Sequence, residues 1–369
     1  ILQVHEPHTH THTHHPPTTM SAVVDATDVG IVAQTAQVVA VGGGAQAVDA
    51  VAFSNLANVT NIKLKQGNVF WEAVSGGCAA NTYMVTTRDV NDEDAEGIPI
   101  FIMQEHSSCF CRCCCNGCQP LYVKFHNVAY GGMAPESGCL CCKREAQKRY
   151  VKAGPAVMTL ERPGCSDKMC ISNMWVCAEI CQSETYLHAG DVGADDGSDV
   201  NADKVRSRAF ARSFVPIGGG GCTPTVEMMS RDAAGNETPM GVVEGPTCFG
   251  GCMDLCVNTN FFVSKQKGKA GDIAIIQKKA RDPGFMGFCI ALCTVVDTYN
   301  LDFTDPNMTP QQKAQVIGDA IHLDYLFFDQ EQPLCRYNEQ TDAIEILLCL
   351  CYCFGCLCPI KLCIPTKNK

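Results

Sequence analysis

Cysteine is the residue type in this chain that points most clearly to chemistry, because 27 of the 369 residues are cysteines and many of them are adjacent. One run, CFCRCCCNGC, extends from Cys109 to Cys118. A second run, CLCC, ends at Cys142 and is followed by basic residues. A third lies in the tail after residue 344. Thiols in such runs can bind metal, carry thioester-linked acyl chains, or stay unmodified.

The spacing of these cysteines leaves three interpretations open. Cys115 and Cys118 have the spacing of a zinc knuckle, although other cysteines crowd them. Adjacent cysteines beside basic residues are typical of S-acylation close to anionic headgroups. Buried or unmodified thiols are the third interpretation. The candidate acylation sites are Cys111, Cys113, Cys114, Cys115, Cys118, Cys139, Cys141 and Cys142, with Lys143, Arg144, Lys148 and Arg149 beside the second run.

The first 54 residues are unsuited to a packed core. Residues 1–19 alternate His with Thr and read as an artefactual or disordered extension, with an adventitious metal site as the alternative. Residues 20–54 are rich in Ala, Val and Gly, and we expect a flexible arm. No secretory signal is recognisable in this region, so a disulfide scaffold is disfavoured.

Charge and motifs narrow the classes of function. The formal net charge of −11 argues against nucleic acid as the main partner, because neutralising phosphates requires clustered Lys and Arg. The chain contains no GxSxG, HExxH or GxxxxGK motif. We therefore expect a protein that performs no covalent chemistry.

One helix is the element around which the remaining chain must be arranged. Residues 311–329 are apolar around most of a helical circumference, but Asp319 and Asp324 disfavour a membrane span. Such a helix fits inside a shell of strands, and segments such as 81–87 and 98–105 have the composition of strands. The helix residues expected to lie in the centre of the domain, inside the shell of strands, are Val316, Ile317, Ile321, Asp324, Phe327 and Phe328.

Several further motifs occur in a fixed order between Leu56 and Asp329. They are LANVTNIKLKQGNVFWEAVSG, CFCRCCCNGCQPLYVKFHN, TLERP, VVEGPTCFGGCMDLCVNTNFFV and DTYNLDFTDP, followed by the helix. Together they resemble the phospholipid scramblase family. Relative to that pattern, residues 128–153 and 187–220 are insertions.

The resemblance implies both a fold and a function. Residues 55–330 should form a mainly β domain: a tubby-like closed barrel of about twelve strands around one buried hydrophobic C-terminal helix. The implied function is movement of phospholipids between membrane leaflets, with Ca²⁺ dependence, at the cytoplasmic face of the plasma membrane. One alternative is a lipid-anchored tubby-like module that binds anionic headgroups and partner proteins without transport. Another is a structural protein organised by Zn²⁺, which rests on the Cys runs alone.

The segment from Asp297 to Met308 takes the place of the family's proposed calcium segment. Its oxygen ligands would be Asp297, Asn300, Asp302 and Asp305. Tyr299 and Met308 stand where acids are expected, so we predict weak Ca²⁺ binding. A turn that leads into the helix is the alternative.

The Cys-rich tail, residues 331–369, goes beyond the resemblance. From Ile346 to Ile360 it has no charge, but a helix of this length reaches only about 22 Å of the roughly 30 Å hydrocarbon core. We expect an acylated interfacial anchor, with a last strand and packing tail as the alternative. The cysteines available for acylation here are Cys349, Cys351, Cys353, Cys356, Cys358 and Cys363.

Overall fold

The structure is a computed structural model. It describes residues 22–24, 53–67, 81–92, 97–107, 120–133, 149–163, 183–193, 207–213, 221–232, 234–269, 271–280, 297–328, 334–353 and 356–366. The strands, in chain order, are β1 (Ala22–Val24), β2 (Asn61–Gly67), β3 (Thr82–Thr87), β4 (Pro99–His106), β5 (Leu121–Met133), β6 (Arg149–Arg162), β7 (Glu184–Ala189), β8 (Ala209–Ser213), β9 (Thr225–Arg231), β10 (Glu237–Glu244), β11 (Cys248–Phe249), β12 (Thr259–Ser264), β13 (Ala274–Lys278), β14 (Thr298–Phe303), β15 (Cys335–Asn338), β16 (Ala343–Cys353) and β17 (Cys356–Pro365).

Twelve antiparallel strands close into a barrel around a single helix. Around the ring the order is β2, β3, β4, β5, β6, β7, β8, β9, β10, β12, β13 and β14. The ring closes because β14 pairs with β2 and β6 pairs with β7. Closure leaves no unpaired edge within the ring. This confirms the predicted mainly β fold with a closed barrel around one helix.

Alternation along the strands determines which residues line the interior. In β2, Ile62 and Leu64 are fully buried, whereas Lys63 between them and Lys65 after them retain access to solvent. A strand places successive side chains on opposite faces, so one apolar face of each strand turns to the barrel interior.

The helix α1 (Pro310–Leu323) fills the barrel. Its first turn is capped by Thr309, whose hydroxyl accepts from the Gln312 backbone N–H at 3.2 Å, while the Gln312 side chain accepts from the Thr309 N–H at 2.8 Å. Pro310 occupies the first helical position, where no backbone donor is needed. We expected the α-helix to continue to Phe328, but it ends at Leu323 and residues 324–328 form one wider π turn.

The residues predicted for the centre of the helix are all buried. Phe327 is the most exposed of them at 7 %. Its ring lies 5.4 Å from that of Phe249, 6.3 Å from that of Phe261 and 6.1 Å from that of Tyr352. Phe327 therefore joins the helix both to the barrel wall and to the tail.

The N-terminal arm and the two insertions contribute strands that the sequence analysis did not predict. Ala22–Val24 pair antiparallel with β6, which departs from the disordered arm we expected for these residues. Strands β5 and β6 run on into the region 128–153, and β8 lies within the region 187–220. Backbone pairing with neighbouring strands explains these differences, because it depends little on side-chain type.

A second, four-stranded sheet combines β11, which precedes the helix, with β15, β16 and β17, which follow it. Strand β16 is paired with β15 and β11 on one edge and with β17 on the other. We call this group the tail sheet. It adopts the strand alternative predicted for the tail.

Candidate functional site

Buried charges surround the C-terminal end of the helix. The Lys278 ammonium lies 2.9 Å from a carboxylate oxygen of Asp254 and 3.1 Å from one of Asp297. It also lies 3.5 Å from the centre of the Phe328 ring. All three ionic side chains are at most 2 % exposed. A buried cation is tolerated only when it is paired in this way, so the cluster fixes the end of the helix inside the barrel.

Asp324 forms a second contact between helix and wall. Its two carboxylate oxygens accept hydrogen bonds from the hydroxyls of Tyr83, at 2.8 Å, and Tyr299, at 2.7 Å. Burial, followed by the nearby Asp324 carboxylate, raises the pKa of Tyr299 well above its ordinary value. The Tyr299 hydroxyl thus stays protonated and serves as a donor. These groups hold the π turn in position.

Asp319 lies in the middle of the helix and is completely buried. Gln315 donates to its Oδ1 at 2.7 Å, and no described residue donates to its Oδ2. Burial raises the pKa of Asp319 well above its usual range, although the hydrogen bond from Gln315 lowers it. A neutral carboxyl is therefore favoured at this position.

The structure does not bring the predicted calcium ligands together. Each of the three carboxylates forms an ion pair with a cation: Asp297 with Lys278, Asp302 with Arg88, and Asp305 with Lys265 at 3.0 Å. Asn300 is buried within β14. Among the described residues, these aspartates do not form a group with three ligand atoms in reach of one ion. The arrangement gives no support to a calcium site.

The candidate acylation sites in the first two Cys runs lie outside the described residues. This applies to Cys111, Cys113, Cys114, Cys115, Cys118, Cys139, Cys141 and Cys142, and to the basic residues Lys143, Arg144 and Lys148. The cysteines of the tail lie mostly within the described part, and the tail sheet gives them a defined place.

One face of the tail sheet is apolar and turned to solvent. Residues opposed across an antiparallel pair project to the same side, so the pairing of β16 with β15 and β17 defines this face. We call it the outer face. Its exposed residues include Tyr337 (54 %), Ile360 (46 %), Leu362 (48 %) and Ile364 (43 %). Its paired positions are Cys335, Tyr337, Ile344, Ile346, Cys349, Cys351, Cys353, Cys358, Ile360, Leu362 and Ile364, and none of these is charged.

The charged residues of the tail sheet lie on its opposite face. Glu345 accepts from Arg336 at 3.0 Å and from Lys361 at 3.2 Å. Asn338 donates to the same carboxylate at 2.5 Å. The hydrogen bond from Asn338, then those from Lys361 and Arg336, lower the pKa of Glu345 to about 2. Farther along this face, Tyr352 packs on Phe327. The inner face is therefore held against the molecule by the buried Leu347, Leu350 and Tyr352 and carries the charges, whereas the outer face is uncharged.

Thiols accompany the apolar residues of the outer face. Cys335 and Cys358 are exposed and free, and Cys349 is free and half-buried. Cys351 forms a disulfide with Cys248 of β11, a pairing that the sequence analysis did not predict. The physical reason is local, because the two residues are directly opposed in the β11–β16 pair with Cα atoms 4.3 Å apart. The sulfurs of Cys248, Cys349 and Cys351 lie within 4.8 Å of one another and could hold a metal ion.

The outer face was missed by sequence reasoning. The signal was present in the tail segment AIEILLCLCYCFGCLCPIKLCI, where apolar residues and cysteines alternate with only two charges. We predicted its apolar character from the absence of charge but not its division into two faces. That division depends on the β16–β17 register, which contains a bulge at Leu348.

Comparison of the chain with protein-family models, curated proteins and solved structures finds no match. Among the described residues, no helix has both the length and the apolar composition needed to cross a bilayer.

Proposed function

We propose that this chain is a phospholipid scramblase-like protein, which attaches to a membrane surface and moves phospholipids between leaflets down their gradient. The observation that carries the proposal is the outer face of the tail sheet, an uncharged apolar surface with exposed thiols. Contiguous exposed apolar surface marks a site of interaction with a membrane or a partner. The activity requires no covalent chemistry.

The barrel provides independent support for this proposal. Residues 55–330 were expected, by resemblance, to form a closed barrel around a buried hydrophobic helix, and the barrel has that architecture. The correspondence concerns the fold, and many functions share a fold. The proposed activity therefore depends on the outer face together with the sequence motifs.

The chemistry of the outer face favours a bilayer as its partner. Ile360, Leu362 and Ile364 would each gain up to about 1.5–3 kcal/mol by leaving water for an apolar environment. The charges of the sheet lie on the opposite face, so no charge would need to enter the lipid. An acyl chain on the exposed thiol of Cys335 would enter the same layer. We therefore infer interfacial attachment at the cytoplasmic leaflet, where anionic lipids and acylating enzymes are found.

The barrel interior favours a second candidate function, a lipid-binding module without transport. The core residues of α1, such as Val316, Ile317 and Ile321, are completely buried. A polar headgroup cannot pass through an interior filled in this way, so lipid movement would have to occur outside the barrel. A module that binds anionic headgroups needs no such path.

Reconstitution into liposomes distinguishes the two functions. Purified protein is incorporated into liposomes that contain fluorescent phospholipid in both leaflets, and an outer-leaflet quencher is added. Scrambling exposes the inner pool, so quenching should exceed the half of the label that empty liposomes lose. We expect little effect of Ca²⁺, because each predicted ligand carboxylate is engaged by a cation. Bound protein with quenching equal to that of empty liposomes would contradict scrambling and favour the binding module.

A matched variant tests whether the outer face makes the contact. Leu362→Ser/Ile364→Ser removes two exposed apolar side chains, whereas Val90→Ser changes an exposed apolar residue in the segment that follows β3 of the barrel. Only the double variant should lose binding to vesicles. Self-association through the same face is the competing outcome, and light scattering would detect it as a dimer that the double variant abolishes.

A further inference from the structure

Three cysteine sulfurs meet at one end of the outer face. The sulfurs of Cys248, Cys349 and Cys351 lie within 4.8 Å of one another. They belong to two strands, since Cys248 is in β11 and the other two are alternate residues of β16. Within the described part of the chain, no other His, Cys, Asp and Glu side chains form such a group.

Cys358 completes this group on the third strand. It is directly opposed to Cys351 in the β16–β17 pair, just as Cys248 is opposed to Cys351 in the β11–β16 pair. Directly opposed residues have Cβ atoms about 4.5–5.5 Å apart and project from the same face. Cys358 is a free thiol and exposed, so it can turn toward the other three sulfurs.

We propose that the reduced protein binds one Zn²⁺ between β11, β16 and β17 through four thiolates, those of Cys248, Cys349, Cys351 and Cys358. Structural zinc sites are tetrahedral, with Zn–S bonds of about 2.3 Å, which places the sulfurs about 3.8 Å apart. The sulfurs of Cys248, Cys349 and Cys351 lie within 4.8 Å of one another, with Cys248 and Cys351 bonded in a disulfide, so reduction has only to separate this one pair. Soft thiolates in a tetrahedral set select zinc over the hard cations Ca²⁺ and Mg²⁺.

The Cys248–Cys351 disulfide is the oxidised, metal-free state of this site. A sulfur in a disulfide has no thiolate to donate, so zinc and the disulfide exclude each other. Two molecules of a small thiol reduce the bond: Cys248 and Cys351 each gain one electron and one proton, and the small thiols leave as their own disulfide. Zinc then displaces the thiol protons. A small disulfide drives the reverse reaction, forms the protein disulfide and releases the metal.

The consequence of the site is mechanical. Cys248 in β11 lies six residues before Asp254, whose carboxylate forms an ion pair with Lys278 of the barrel strand β13. Strand β17 lies at an edge of the tail sheet. Zinc would therefore link the barrel to the strand that carries Ile360, Leu362 and Ile364. This inference does not depend on lipid binding.

Zinc content of matched variants tests the proposal. The full chain is reduced with a phosphine, equilibrated with Zn²⁺, freed of excess metal and analysed by mass spectrometry of the metal. The Cys runs at 109–118 and 139–142 can also bind zinc, so each variant is compared with Cys222→Ser, which removes an exposed free thiol elsewhere. Cys349→Ser and Cys358→Ser should each lose about one equivalent relative to that control.

Cobalt substitution and oxidation complete the test. Co²⁺ in a tetrathiolate site gives intense visible bands, which both variants should weaken and Cys222→Ser should retain. Adding a small disulfide to the zinc form should release the metal as the Cys248–Cys351 peptide appears. Unchanged zinc content in either variant, or metal retained after that disulfide forms, would overturn the assignment. If Cys349→Ser fails to fold, the zinc content of Cys358→Ser, which changes a residue on the edge strand, tests the assignment by itself.

Discussion

The barrel strands carry apolar residues mainly on their inner face, whereas the tail sheet carries them on both faces. In the barrel, inward residues such as Ile276 and Leu301 cover the helix, and polar side chains such as Asn260 and Gln277 pair on the outside. In the tail sheet, the side held against the molecule buries Leu347, Leu350 and Tyr352 beside Glu345 and its cations, while isoleucines on the other side face solvent. The same strand alternation thus serves folding in one region and leaves an uncovered surface in the other.

Because of this difference, the barrel residues should contribute to the stability of the fold, and the residues of the outer face should contribute to interaction with a partner. Residues that line the barrel contribute by being removed from water, so replacing them should cost free energy of unfolding. Residues of the outer face remain in water in the isolated protein, and they can contribute only when something covers them. The two regions should therefore respond oppositely to the same kind of substitution.

The largest effect should come from Phe327→Ala. The Phe327 ring contacts Phe249, Phe261 and Tyr352, and its removal would leave a cavity that costs about 3–5 kcal/mol of unfolding free energy. Chemical denaturation measures the loss. The control is Ile364→Ala on the outer face, which should change stability by less than about 0.5 kcal/mol. Equal effects at the two positions would contradict the comparison.

The next effect concerns binding alone. Leu362→Ser/Ile364→Ser should weaken partition into anionic vesicles by about tenfold or more, because each side chain loses up to about 1.5–3 kcal/mol of transfer free energy. The unfolding midpoint should stay within error of the unmodified protein. Vesicle co-sedimentation and thermal unfolding on the same samples measure both quantities, and a fall in both would place these residues in the core.

A smaller effect should appear as pH dependence inside the barrel. Because the pKa of Asp319 is raised in the folded state, its contribution to stability is complete below about pH 4 and is lost as pH rises through the folded-state pKa. Asp319→Asn removes this loss and should stabilise the protein at pH 8 by about 1–3 kcal/mol, with no gain near pH 4. Denaturation at the two pH values measures the difference.

Asp305 provides a control of opposite sign. The backbone N–H of Asn307 and then Lys265 lower the pKa of Asp305. Its contribution is therefore present above about pH 4 and is lost on acidification. Asp305→Asn should destabilise at pH 8 and have no effect at low pH. If Asp319→Asn and Asp305→Asn both stabilised the protein at pH 8, the direction of the pH effect would not depend on whether the carboxylate is buried.

The smallest effect should be at the charged side of the tail sheet. The pKa of Glu345 is lowered to about 2, so its stabilisation is present above about pH 4.5 and declines as pH falls toward 2. Hydrogen exchange in β16 and β17 should therefore accelerate between pH 5 and pH 3, after correction for the intrinsic rate. Glu345→Gln should show no such acceleration, and an identical profile in both proteins would exclude this carboxylate as the cause.

The sequence alone determined the main features of the barrel. A helix that is apolar nearly all round must be enclosed, and its apolar residues from 311 onward located it in the chain. Strand composition around Tyr83 and Phe101 located β3 and β4. These features depend on local periodicity, which the order of residues encodes directly. The helix end at Leu323 was not encoded locally, because the π turn depends on Tyr83 and Tyr299, which come from distant strands.

Only the tertiary structure decided which distant groups meet. Lys278 pairs with both Asp254 and Asp297, so the Asp297 carboxylate that was predicted as a calcium ligand is engaged by a cation. Cys248 and Cys351 are 103 residues apart, and the sequence gives no reason to choose this pair among 27 cysteines. The outer face likewise exists because the β16–β17 register aligns apolar residues on one side. The alternation of side chains along a strand gives the strand two faces. Strand pairing decides which side chains of neighbouring strands share a face and which part of the molecule covers that face.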